Sequence, residues 1–389
     1  MDTQRLDQIL EEATGDGRLP GLVATLGGRS DVLYEGAAGV REAGGGALMT
    51  PDTVLNIASM IKAVTAAAAM QCVERGLLDL DQPAGEIIPF LGRVEVLEGF
   101  DAGGQPKLRP ARTAVTLRNL LTHTSGFGYE IWNAGLGRYQ EVTGTPGLGT
   151  GLNASLEMPL VFEPGTAWEY GIGIDWAGKL VEAVTGTRLR DFMRQELFEP
   201  LGMKSTGFQV TAEMAGRRAA GHVRTADGIV PTRASGRGVE WEYDAGGGGL
   251  SSTVQDYLQF ARMILNGGEL DGHRILRPET IALMSQSHTG PVDIVPMRTA
   301  MPAVSQDCDF FPGMRQEWGL SFLINTAVSP EGRSAGSLAW AGLLNTYYWI
   351  DRERDVAGVF GTQLLPFFDA EVLRAFRRFE RAVYGDAAN

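Results

Sequence analysis

Lysine is scarce in this 389-residue chain: four (Lys62, Lys107, Lys179 and Lys204) stand among 34 basic residues. Each lysine is therefore informative. Cysteine is scarcer still, and Cys72 and Cys308 lie too far apart in sequence to give a disulfide framework or a metal-ligand spacing, so single buried thiols are expected. Four histidines (His123, His222, His273, His288) include no pair at helical ligand spacing. No metal and no organic cofactor is implied. Positive charge is in deficit, with a formal net charge of −13, which argues against nucleic acid and anionic membrane as partners. No apolar run approaches the ~20 residues of a membrane span, and the N-terminus lacks the basic and apolar segments of a secretory signal. A cytoplasmic protein with a small-molecule substrate is expected, its oligomeric state left open.

What is present is ordinary for a globular protein, with 44% hydrophobic and 21% charged residues. The length suits two domains, or one with an insertion. An amphipathic helix carrying Leu6, Ile9 and Leu10 opens the chain. Gly21–Gly27 and Asp31–Val40 read as a hairpin. The segment 79–110 reads as irregular and 129–160 as a long glycine-rich loop; loops of that length tend to be functional. Thr116 caps a short helix expected to stop at Gly126, and helices are predicted near 174–186, 188–199 and 254–266. Short strands are possible within 207–244. Four short strands between Trp318 and Gly361 precede a last amphipathic helix with Leu373, Phe376, Phe379 and Val383. Strands at both ends with helices between them imply an α/β (α+β) protein. One antiparallel sheet is built from both termini and flanked by the terminal helices. The expected division is 1–85 with 290–389 as the sheet domain and 86–289 as a mainly helical inserted domain.

The chemistry gathers at Ser59-Met-Ile-Lys62. Positions i and i+3 share a helical face, so the amine can take the serine proton. With 15 serines and four lysines, chance gives about 0.15 such pairs, and this is the only one. Val64, Ala66 to Ala69, Met70 and Val73 follow, leaving little polar surface, so burial would keep the lysine from permanent charge. A rival nucleophile is Ser334 in Gly-Arg-Ser-Ala-Gly, but no strand–turn–helix frames it and every histidine precedes it. It reads as a hairpin turn. Gly246 to Gly249 lack the Gly-Lys-Ser/Thr of a phosphate cradle and indicate close backbone packing or a bend. Tyr170 closes Pro-Gly-Thr-Ala-Trp-Glu-Tyr, where a phenol beside an ammonium can have its pKa lowered and shuttle a proton. Its alternative is a core tyrosine. Trp132, Trp168, Trp241, Trp318 and Trp340 are candidates for an apolar acyl pocket or for the core.

In order, Ser59-Met-Ile-Lys62, Leu121-Thr-His-Thr-Ser-Gly126, Pro164 to Tyr170, Gly246 to Leu250 and Trp340-Ala-Gly342 resemble the serine hydrolases of the class C β-lactamase fold. Among these the chain is most similar to the family VIII carboxylesterases. The resemblance spans nearly the whole sequence. It implies that Ser59 is acylated, that Lys62 and Tyr170 activate it, and that the backbone N–H groups of Ser59 and Leu343 form an oxyanion hole. Such donors contribute roughly 3 to 4 kcal/mol each. It further implies that Trp340, Ala341 and Gly342 form the substrate-binding strand. In β-lactamases that strand reads Lys-Thr-Gly, so Trp340 replaces a charged anchor with an apolar wall. Tyr170-Gly-Ile172 likewise lacks the asparagine of Tyr-x-Asn. Both departures suit a small uncharged ester better than a β-lactam. A β-lactamase or D-peptidase, an acyltransferase of the same fold, and a catalytically silent binding module remain alternatives.

Overall fold

The computed structural model describes residues 1–232 and 241–385. Its centre is an antiparallel sheet drawn from both ends of the chain. The strands are β1 (Gly21–Gly27), β2 (Val32–Gly39), β3 (Gln316–Trp318), β4 (Leu323–Asn325), β5 (Leu338–Gly342), β6 (Thr346–Asp351) and β7 (Val356–Gly361). They lie in the order β3-β4-β5-β6-β7-β1-β2. Every residue of β1, β5, β6 and β7 is buried, as expected where both faces of a sheet are covered. Edge strand β2 alternates in exposure over its first residues instead.

Adjacent residues of a strand point to opposite faces, and Tyr347 and Tyr348 show the two layers. Tyr347 stacks on Phe376 of the last helix, with centroids 4.6 Å apart, while Tyr348 packs against Tyr257 at 5.0 Å. One face carries the terminal helices, α1 (Thr3–Gly15) and α6 (Ala370–Tyr384). Leu6, Ile9 and Leu10 of α1 and Val372, Phe376 and Phe379 of α6 supply its buried stripe. The other face carries α5 (Val254–Leu265), capped by Thr253, whose hydroxyl accepts the Asp256 N–H. Residues 86–289 are expected to form the insertion, yet α5 lies within them and packs on β1, β6 and β7. Its amphipathic stripe needs that surface.

Helix α2 (Ile61–Glu74) is buried from Ile61 through Cys72. It crosses α4 (Gly173–Thr185), and the glycines Gly178 and Gly246 lie beside Thr65 at the crossing. Three expectations change. The helix capped by Thr116, α3 (Leu117–Thr122), stops at His123, which adopts the left-handed conformation at φ 58°, rather than at Gly126. The glycine-rich 129–160 stretch contains a helix, Ala134–Thr143, because Asn133 caps it by accepting the Leu136 N–H. Segment 79–110 holds a hairpin, Glu95–Phe100 with Pro106–Pro110. Strands do occur at His222–Thr225 and Gly228–Pro231 within 207–244; residues 233–240 lie outside the described residues. Among the described residues no helix is long and apolar enough to cross a membrane.

Candidate active site

Ser59 sits on a single 3-10 turn, Ala58–Met60, that runs straight into α2. Ala58 carries φ 42°, a left-handed backbone that costs a residue with a Cβ about 1 kcal/mol or more. Neighbours hold it there. The Asn56 side chain accepts the Ala58 N–H at 2.9 Å, and the Gln363 amide pairs with both backbone groups of Asn56. Tyr257 of α5 donates to the Met60 carbonyl at 2.8 Å. The turn is thus pinned from the sheet side and the helix side, leaving Ser59 partly exposed in a buried frame.

One turn on, Lys62 is 1% exposed. Its Nζ donates to Ser59 Oγ at 3.1 Å, to Tyr129 Oη at 3.0 Å and to the Gly247 carbonyl at 2.5 Å. Burial pulls the amine down from 10.5 to about 7, against the opposing charge of Asp175. The glycine run is what brings the carbonyl in. Thr65 Oγ1 donates to Gly246 O at 2.7 Å, and a Cβ at Gly247 would overlap the Asp175 carboxylate. Close packing, anticipated for this run, is its structural use.

Tyr170 faces the same turn. Ser59 lies near enough to favour its ionised form, and Lys62 Nζ lies 4.8 Å from its ring centroid. The expected lowering of its pKa is not found: burial raises the phenol, outweighing the opposite pull of Ser59 and Trp340. Proximity to the lysine is real, but the amine, lowered to about 7, is only partly protonated near neutral pH. Trp340 is 3% exposed and donates its indole N–H to Tyr170 Oη at 3.0 Å. Beyond an apolar wall, it is a hydrogen-bond donor. Trp168 and Trp318 are buried in the same cluster, whereas Trp132, packed on Tyr129 and Tyr170, and Trp241 are partly exposed.

His123 packs its ring 4.7 Å from that of Tyr170 and accepts the Gly171 N–H on Nδ1 at 3.4 Å. Burial and Lys62 hold it well below the usual histidine range, so it is neutral. Ala341 and Gly342 are buried at the end of β5, and Leu343 follows, partly exposed. A Cβ at Gly342 would overlap the Ile57 carbonyl, so the strand end abuts the Ser59 turn directly. Ser334 lies elsewhere, its N–H on Asp351 Oδ2 at 2.8 Å and its carbonyl taken by Asn325 and Ser337. Among the described residues no histidine bonds to it.

Tyr129, Asp175, Asn56 and Gln363 were not singled out from sequence. Only Asp175 left a trace there, as a lone acid between Ile174 and Trp176 at the start of an apolar helix.

A sheet built from both termini, with a Ser-x-x-Lys turn against it, defines a serine hydrolase or acyltransferase of the β-lactamase fold. The chain belongs to the Beta-lactamase family, whose profile matches residues 6–382. It is 31% identical over 396 residues to the lovastatin esterase of Penicillium rubens, covering 97% of this chain and 98% of the relative. It is 34% identical over 348 residues to the monacolin J acid methylbutanoyltransferase of Aspergillus terreus, covering 86% and 82%. Among solved structures, unliganded simvastatin synthase from Aspergillus terreus matches over 100% of both chains, with a TM-score of 0.86 at 29% identity. The class C β-lactamase-like fold expected from sequence is therefore found.

Proposed function

We propose that the protein is a serine esterase for small acyl esters, akin to the family VIII carboxylesterases and working through an acyl-enzyme on Ser59. The observation that carries this reading is the 3.1 Å contact of Lys62 Nζ with Ser59 Oγ, made by an amine that burial lowers to about 7. A neutral amine has two N–H donors and one lone pair. The Gly247 carbonyl can only accept, so it takes one N–H, and the Tyr129 oxygen takes the other. The lone pair is left for the Ser59 proton.

As that proton moves to Lys62, Ser59 Oγ attacks the ester carbonyl. The N–H groups of Ser59 and Leu343 meet the developing oxyanion. Tyr170, held neutral by burial, passes its own proton to the departing alkoxide and regains one from Lys62. Water entering by the reverse route frees the acid. Trp340, Ala341 and Gly342 flank the substrate, and Trp132 offers a partly exposed apolar surface beside it.

A second reading is acyl transfer, in which an alcohol replaces water. The similarity to a methylbutanoyltransferase favours it, and it shares every step up to the acyl-enzyme. β-Lactam or D-peptide hydrolysis is less suited, because Trp340 stands where those enzymes carry lysine.

The test uses nitrophenyl esters of graded acyl length, a chromogenic cephalosporin and an acceptor alcohol, with Ser59→Ala as control. The proposal expects short esters to be cleaved and Ser59→Ala to lose that activity. A new ester formed at the expense of free acid moves the assignment to a transferase. No cleavage of any ester favours a silent binding module.

A further inference from the structure

Asp175 is a carboxylate in an unusual place. It lies in the first turn of α4, is 3% exposed, and forms no ion pair with a basic side chain among the described residues. Buried acids without a cation alongside are destabilising unless other groups compensate. Here compensation comes through one residue. Asp175 Oδ1 accepts the Gly247 N–H at 2.8 Å, and the carbonyl of the same Gly247 accepts Lys62 Nζ at 2.5 Å. The glycine is required, because a Cβ there would overlap Asp175 Oδ2 and lie 3.0 Å from Tyr129 Oη.

The groups around this pair come from several elements. Lys62 stands on α2, Tyr129 and Glu130 on the segment after α3, Tyr170 just before α4, Tyr243 just before the glycine run, and His123 at the end of α3. The three phenols are raised and the histidine lowered, all chiefly by burial. All four are therefore uncharged at neutral pH. Glu130 is only partly buried. Within the buried site, Lys62 and Asp175 are thus the groups whose charges act on each other.

We infer that Asp175 is a positioning residue for Lys62: it anchors the Gly247 peptide whose carbonyl holds the amine, and its charge sets how readily the amine takes a proton. The inference rests on the reading of Lys62 as the base for Ser59. Asp175 touches no substrate. Burial alone would push Lys62 further down and make it a weaker base; the carboxylate opposes that fall and keeps the amine effective near neutral pH.

Two substitutions separate the anchor from the charge. Asp175→Asn keeps an oxygen for the Gly247 N–H and removes the charge, whereas Asp175→Ala removes both. With only four lysines in the chain, protein labelled with 13Cε-lysine gives a spectrum simple enough to titrate Lys62 directly, assigned by its absence in Lys62→Met. The inference expects the Lys62 midpoint in Asp175→Asn to fall by about one unit or more. The acid limb of kcat/KM for a nitrophenyl ester should move with it, and the plateau should drop less than about tenfold. Asp175→Ala should show the same displacement and a larger loss of kcat at every pH, since Gly247 is released.

A Lys62 midpoint unchanged in Asp175→Asn overturns the inference, as does a uniform loss of activity without displacement of the acid limb. Should neither variant fold, Asp175→Glu moves the charge without deleting it; a midpoint that stays at the wild-type value there also counts against the inference, and a displaced one supports it. Failure of the underlying reading looks different. Lys62→Met would then retain full esterase activity, while the titration still reports on Asp175.

Discussion

Trp340 donates its indole N–H to the hydroxyl of Tyr170 at 3.0 Å, with both rings almost fully buried. A neutral donor thus meets the phenol where an ammonium would have favoured its ionised form. The phenol stays protonated, and the aromatic cluster of His123, Trp168, Trp318 and Trp340 around it fixes the ring beside Ser59. The account therefore gives Tyr170 the part of a proton relay and leaves Lys62 as the base.

Trp340→Phe keeps most of the ring and deletes the donor. One neutral hydrogen bond contributes about 1 kcal/mol, so kcat for a nitrophenyl ester should fall by roughly fivefold, with KM little altered. Steady-state kinetics check this. An unchanged kcat would remove Trp340 from the mechanism.

Tyr129 takes one of the three hydrogen bonds from Lys62 Nζ, at 3.0 Å. Tyr129→Phe deprives the ammonium form of an acceptor, which lowers the proton affinity of the amine. The acid limb of kcat/KM should shift to lower pH, and kcat should fall by about tenfold. A pH–rate profile of the variant decides both points.

The depressed Lys62 makes a prediction about stability. Between about 7 in the folded protein and 10.5 unfolded, the unfolded chain binds more protons, so this residue's contribution to stability rises with pH. The destabilisation is complete below about pH 7 and vanishes as pH passes 10.5. Lys62→Met should therefore raise Tm at pH 7 while abolishing activity, and the difference from wild type should shrink toward pH 10. Thermal unfolding of both proteins at several pH values gives the answer, since titrating groups not coupled to Lys62 cancel in the difference. In the wild type, kcat/KM should climb about tenfold per pH unit below about 7 and level off above it.

Ser59 and Lys62 were legible in the sequence because their meeting needs only one helical turn, and the ordered motifs drew in Tyr170 and Trp340. Tyr129 and Asp175 were not, because their contacts with Lys62 are made by packing between distant segments. The Gly247 carbonyl reaches Lys62 across 185 residues, and nothing in Gly246 to Gly249 names its neighbour. The direction of the Tyr170 shift was misread for a related reason: spacing reveals which charge is near, while burial comes from the assembled fold and dominates here. In the fold, short apolar runs between turns located the central strands, and amphipathic spacing located the terminal helices. The place of α5 was missed because a boundary drawn along the chain cannot show that a middle segment returns to the sheet. Glycine content concealed the helix Ala134–Thr143, which Asn133 starts by capping.

The most direct measurement is mass spectrometry of the protein mixed rapidly with a nitrophenyl butyrate and quenched in acid, followed by peptide mapping. The account predicts a gain of one butyryl group on the peptide carrying Ser59, and no gain in Ser59→Ala. An adduct on another residue, or ester turnover undiminished in Ser59→Ala, would contradict it.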